Sequence, residues 1–102
     1  MIIHVQNKEQ FESEISKGKC LVDFYATWCG PCKMLAPVIE ELDKTDRLNG
    51  ATVLKIDCDE CRDLAAEYRI QAIPTLMLFE DKKVVKTSMG FLNENDLMNF
   101  VK

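Results

Sequence analysis

The chain has 102 residues, enough for one packed core and too few for two, so a single domain spanning residues 1–102 is expected. Apolar residues make up 47% and charged residues 29%, a globular balance that argues against a disordered chain or a membrane protein. Thirteen basic side chains against seventeen acidic ones give a net charge of −4 with no basic cluster, so nucleic acid is not an expected partner.

No apolar run approaches the length of a membrane span, and no membrane association is expected. The start, Met1-Ile2-Ile3-His4-Val5-Gln6, lacks the basic residues, apolar segment and cleavage site of a secretory signal, which points to a cytoplasmic chain. Residues Ile2 to Val5 read as a short strand. Asn7, with Gln10 three residues later, reads as the cap of a first helix that runs to about Lys17 and ends at Gly18. Only Phe11 and Ile15 are apolar in it, so it should bury one narrow stripe.

From Cys20 to Ala26 the apolar residues are continuous apart from Asp23, the pattern of a strand covered on both faces. Met34, Leu35, Val38, Ile39 and Leu42 then recur at helical spacing, which predicts a long helix from about Cys29 to about Thr45, kinked at Pro37. Thr52 to Ile56 reads as another strand. A helix begun by Asp57 or Asp59 follows, with Leu64, Ala65 and Tyr68 on its inner face, and Pro74 breaks the pattern. Thr75–Phe79 and Val84–Thr87 are spaced as an antiparallel hairpin, and Glu94 to Val101, capped by Asn93, closes the core. The order βαβαβα followed by ββα predicts an α/β fold with a mixed sheet.

Five cysteines cannot all pair within one chain, so at least one thiol is free or serves another molecule. That count suits a reducing compartment, where a disulfide is made and broken in turnover. Cys29 and Cys32 lie where the apolar strand ends and the long helix begins. A thiolate is the nucleophile of disulfide exchange, and the unpaired N–H groups and dipole at a helix N-terminus favour it, so Cys29 is the candidate attacking thiol. Cys32, one turn on, is the candidate resolving thiol. Pro31 suits the first helical turn, where its missing N–H costs nothing, and Gly30 leaves room for a partner backbone.

Two other readings stand beside this one. The pair could be half of a four-cysteine zinc site completed by Cys58 and Cys61, although Cys-Gly-Pro-Cys before a long helix is an unusual setting for zinc. Asp23 is either a desolvated proton acceptor beneath the pair, able to deprotonate Cys32, or an edge-strand carboxylate facing water.

The stretch Val22-Asp23-Phe24-Tyr25-Ala26-Thr27-Trp28-Cys29-Gly30-Pro31-Cys32-Lys33 resembles the active-site segment of the thioredoxin family. Pro37, Lys55, Ile73-Pro74-Thr75 and Gly90 are similar to that family's kinking proline, lysine near the buried acid, cis-proline loop and late glycine. The resemblance implies a thioredoxin fold: a five-stranded mixed sheet of order 1-3-2-4-5 flanked by four helices. It implies a thiol–disulfide oxidoreductase that reduces disulfide-containing proteins, with no cofactor beyond the Cys29–Cys32 disulfide, acting as a monomer and recharged by an NADPH-dependent thioredoxin reductase. Asp23 and Lys55 would then assist catalysis. Trp28, Gly30, Pro31, Ile73, Pro74 and Gly90 would bind substrate, with simple core packing as the other reading of Trp28. A thioredoxin-fold binding module with secondary redox activity is the alternative function. Arg69 and Glu80-Asp81-Lys82-Lys83 depart from the family's usual glycine-bearing turns.

Cys58 and Cys61 form a second Cys-x-x-Cys crowded by Asp57, Asp59, Glu60 and Asp63, which read chiefly as unreactive thiols, otherwise as an auxiliary disulfide or metal ligands. Cys20 reads as a small core residue and His4 as a plain strand residue. Met34, Met77, Met89 and Met98 read as core.

Overall fold

A computed structural model describes residues 1–102. The elements are β1 (Ile2–His4), α1 (Lys8–Ile15), β2 (Cys20–Tyr25), α2 (Gly30–Lys44), β3 (Thr52–Asp57), α3 (Arg62–Glu67), β4 (Thr75–Glu80), β5 (Lys83–Met89) and α4 (Glu94–Phe100). The sheet order is β1-β3-β2-β4-β5. Strands β1 and β2 run parallel to β3, whereas β4 is antiparallel to β2 and to β5, as the element order requires.

Alternation along β2 divides the core into two layers. Leu21 packs with Leu35, Ile39 and Leu42 of α2 and Leu97 of α4, while Val22 and Phe24 pack with Phe11 of α1 and Leu64 of α3. Both faces of β2 are therefore covered, which explains its nearly unbroken apolar run. In the second layer Phe11, Tyr68 and Phe79 meet edge to face with centroids 5.6 to 5.7 Å apart.

The caps form where their residues direct. Asn7 accepts from the Gln10 N–H, and the Gln10 side chain in turn accepts from the Gln6 N–H. Asn93 accepts from the Asp96 N–H at the start of α4. Helix α3 begins later than expected, at Arg62. Asp57 and Asp59 do not cap it, because the Asp57 carbonyl and carboxylate accept from Asp59, Glu60 and Cys61 and so close a turn between β3 and the helix. The β4–β5 hairpin turns through Asp81 and Lys82, both at positive φ (52° and 67°), and Arg69 also sits at φ 54° without glycine.

Two of the methionines expected in the core are not there. Met77 is buried and Met98 half-buried, but Met34 and Met89 are 61% and 68% exposed. Met34 directly precedes the inward Leu35 and faces out, and Met89 ends the edge strand β5.

Candidate active site

Strand β2 delivers the chain to the N-terminus of α2, and Cys29 is the residue at the junction. Its backbone is extended (φ −89°, ψ 116°) and it caps the helix: the Cys29 Sγ accepts from the Cys32 N–H at 3.2 Å. That N–H is one of the donors the first helical turn leaves without an internal partner, so the sulfur occupies the place of a capping oxygen. Pro31 stands in the same turn, where it removes no needed bond. Cys29 and Cys32 are joined as a disulfide with their Cα atoms 5.2 Å apart. Both are buried, whereas Gly30 and Pro31 between them are exposed.

Three further segments meet this junction. The Ile73–Pro74 peptide bond is cis, and half-buried Ile73 packs against Ala26, Cys29 and Cys32. The Ile73 carbonyl oxygen lies 3.8 Å from the Cys29 sulfur. Pro74 itself is buried, and its carbonyl accepts from the Gly90 N–H at 2.8 Å. Gly90 has φ +96°, a backbone conformation that a side chain would strain. Trp28 is 69% exposed, so it is not a core residue; its indole N–H donates to Asp59 Oδ2 at 2.9 Å. Met34, Met89 and Phe91 are also exposed apolar residues, the last two on either side of Gly90. Periodicity hid Met34 and Met89, since an apolar residue in an apolar pattern reads as core.

Beneath the helix start lies a buried charge pair. Asp23 is 1% exposed on the central strand, which overturns its edge-strand reading. In the parallel register it is opposite Lys55, whose Nζ is 3.7 Å from Asp23 Oδ2, while Asp23 Oδ1 has no hydrogen-bond partner. Burial pushes the Asp23 carboxyl up from 3.8 to about 6, the nearby ammonium pulling it only part of the way back. Lys55 and Cys32 line one cavity of about 220 Å³ together with Tyr25, Thr27, Lys33 and Ala36. The buried carboxylate's counter-ion and the inner cysteine thus share a space large enough for water.

The other cysteines stand apart. Cys20 is buried with its sulfur 3.5 Å and 3.6 Å from the Gly18 and Glu14 carbonyl oxygens. Cys61 is buried in the layer that α1 and α3 cover, its thiol directed at the Val5 carbonyl 3.7 Å away, and Cys58 is half-buried. Burial first, and then Asp57 and Asp59, push the Cys58 thiol up to about 11. The two pairs do not converge, and no cluster of His, Cys, Asp and Glu is placed to hold a metal ion. His4 is exposed on β1, away from the dithiol.

The family model described as Thioredoxin matches residues 2–102. The thioredoxin of Bacillus subtilis strain 168 is 45% identical over 103 residues, which cover 99% of this chain and 96% of that protein. The thioredoxin of Chlamydia trachomatis is 41% identical over 98% of this chain and 96% of its own length. Among solved structures, a mutant thioredoxin from Halobacterium salinarum NRC-1 superposes with a TM-score of 0.88 at 40% identity, covering 98% of this chain and 87% of that one.

Proposed function

This chain belongs to the thioredoxin family, and from that premise we infer how its residues carry out thiol–disulfide exchange on protein substrates. Cys29 is the nucleophile. In the dithiol state the helix N-terminus and the Cys32 N–H stabilise a Cys29 thiolate, and thioredoxins are themselves a standard illustration of a thiol acidified in this way. The thiolate attacks one sulfur of a target disulfide, forming a mixed disulfide and releasing the other target sulfur as a thiolate, which takes a proton from solvent.

Cys32 then resolves the intermediate. Its thiol proton passes to the Asp23 carboxylate through water in the cavity that Cys32 shares with Lys55, the partner of that carboxylate, and its sulfur attacks Cys29. The target leaves as its second thiolate, which is protonated at the expense of the proton held by Asp23, and the Cys29–Cys32 disulfide remains, two electrons having moved to the target. Lys55 keeps the Asp23 carboxylate available as an acceptor at neutral pH by opposing the effect of its burial. No cofactor is required, since the electrons reside in the cysteine pair.

Trp28, Gly30, Pro31, Ile73, Pro74 and Gly90 surround the pair as the substrate surface. An extended target segment lies along the cis-proline loop beside the Cys29 sulfur, with exposed Gly30 and Pro31 leaving its backbone unobstructed. Residues 1–102 act as one domain, as a cytoplasmic monomer recharged by an NADPH-dependent thioredoxin reductase.

The observation that carries this reading is the Cys29 sulfur at the N-cap of α2, accepting the Cys32 N–H beside Ile73. Its test is NADPH-driven reduction of insulin with thioredoxin reductase. Native turnover with no turnover by Cys29→Ser is expected. Equal rates for the two chains would overturn it.

A further inference from the structure

Tyr25 has no role in the scheme above, yet it touches both of its halves. Its ring packs against the cluster of Ala26, Cys29 and Cys32, and Lys55 Nζ lies 4.7 Å from its centroid. The same Nζ is 3.7 Å from Asp23 Oδ2. The strand geometry explains the grouping. Asp23 and Tyr25 are two apart on β2, and Lys55 and Asp57 are their register partners on β3, so all four project from the sheet face that α2 covers.

Lys55 therefore shares its face of the sheet with two carboxylates, but it pairs only with Asp23. The Asp57 carboxylate is engaged by the Asp59 N–H. The Tyr25 ring face lies 4.7 Å from the same ammonium that stands 3.7 Å from Asp23, and the negative quadrupole of the ring attracts that charge and limits where it can go. We propose that Tyr25 is a positioning residue whose ring face holds the Lys55 ammonium against the Asp23 carboxylate, keeping that positive charge aligned with the acid beneath the dithiol.

The hydroxyl has no part in this, so phenylalanine should serve as well as tyrosine. The other titratable groups around the pair and the ring are Cys32 and Lys33 of α2, Asp57 and Cys58 at the end of β3, Glu60 and Cys61 in the turn that follows it, and His4, which is in register with Lys55 but exposed. All of these groups except Cys32 are present and unchanged in every variant below, and Cys32 does not titrate in the disulfide form.

The inference rests on Asp23 as proton acceptor, but it can be tested without that role. The Asp23 carboxyl is titrated by carbon NMR in the oxidised chain, comparing native, Tyr25→Phe and Tyr25→Leu proteins, each also in a Lys55→Met background. Tyr25→Leu is expected to raise the Asp23 midpoint by about half a pH unit, because the ammonium is no longer held close. Tyr25→Phe should leave it unchanged, and neither substitution should move it once Lys55 is gone. A downward shift would mean that the ring acts only by excluding water, and an equal shift with and without Lys55 would mean that it acts on Asp23 by another route. Either result overturns the proposal.

A check on the native protein needs no substitution. The Lys55 side-chain methylene protons nearest the ammonium should be displaced upfield by the ring current, and ordinary lysine positions would contradict the stacking. The pH profile of insulin reduction separates the two claims. If the NMR midpoint moves as expected while the rate profile does not, Tyr25 positions the pair and the acceptor role of Asp23 fails instead.

Discussion

Asp23 and Lys55 lie opposite each other on adjacent parallel strands, with carboxylate and ammonium 3.7 Å apart and one carboxylate oxygen left unpaired. A carboxylate in that position costs stability whenever it is ionised. The native carboxyl holds its proton up to about 6, against 3.8 ordinarily. Between those values the folded chain binds more protons than the unfolded one, so this group's contribution to stability falls as pH rises through the window. Asp23→Asn should therefore be more stable than the native chain at neutral pH by about 1–3 kcal/mol, the gain shrinking as acid protonates the native residue. Urea unfolding at neutral pH and near pH 4 checks it, and a gain of the same size at both would contradict the cause. The same variant should reduce insulin roughly 10-fold more slowly or worse, having lost its proton acceptor.

Trp28 offers a wide apolar surface held by one hydrogen bond to Asp59. Large exposed aromatics beside a reacting centre commonly anchor a protein partner. Trp28→Ala should lower kcat/KM for insulin by roughly 10-fold, chiefly through KM, while reduction of a small-molecule disulfide changes little. Equal losses on both substrates would place the effect at the dithiol rather than in docking.

The hairpin at Asp81 and Lys82 uses two positive-φ residues where glycine would be easier. Lys82→Gly should raise stability by about 0.5–1 kcal/mol in denaturant unfolding, with insulin reduction unchanged. A loss of stability would show that the lysine side chain contributes more than its backbone conformation costs.

The Cys58 thiol, pushed up to about 11, should be sluggish towards alkylation. With the Cys29–Cys32 disulfide closed, its modification at pH 8 should run roughly 100-fold slower than that of an unhindered cysteine, in proportion to its smaller thiolate fraction. Mass spectrometry of timed samples reads this directly. Rapid labelling of Cys58 would return it to the candidates for redox chemistry.

Much of this arrangement is legible in the residues. The unbroken run from Cys20 to Ala26 places β2 at the centre, and the change to helical spacing after it puts Cys29 at a helix start. Asn7 and Asn93 cap as their residue types direct. Asp57 misleads because an acidic residue before a helix reads as a cap, whereas here it closes the preceding turn through its own backbone and side chain. The exposure of Met34 and Met89 is hidden because hydropathy records chemistry rather than direction. Tyr25 escapes notice for a related reason: an aromatic in a strand reads as core, and its contact with Lys55 depends on the register of β2 with β3. The cis bond at Pro74 has no local signal and follows only from the family resemblance.

The division of labour between Cys29 and Cys32 is tested most directly by trapping the intermediate. The Cys32→Ser and Cys29→Ser chains, fully reduced, are mixed with a protein disulfide, quenched in acid and mapped by mass spectrometry. Cys32→Ser should accumulate a mixed disulfide through Cys29, stable because nothing resolves it, and Cys29→Ser should yield little or none. An adduct that forms readily through Cys32 in the Cys29→Ser chain, with none through Cys29, would reverse the assignment.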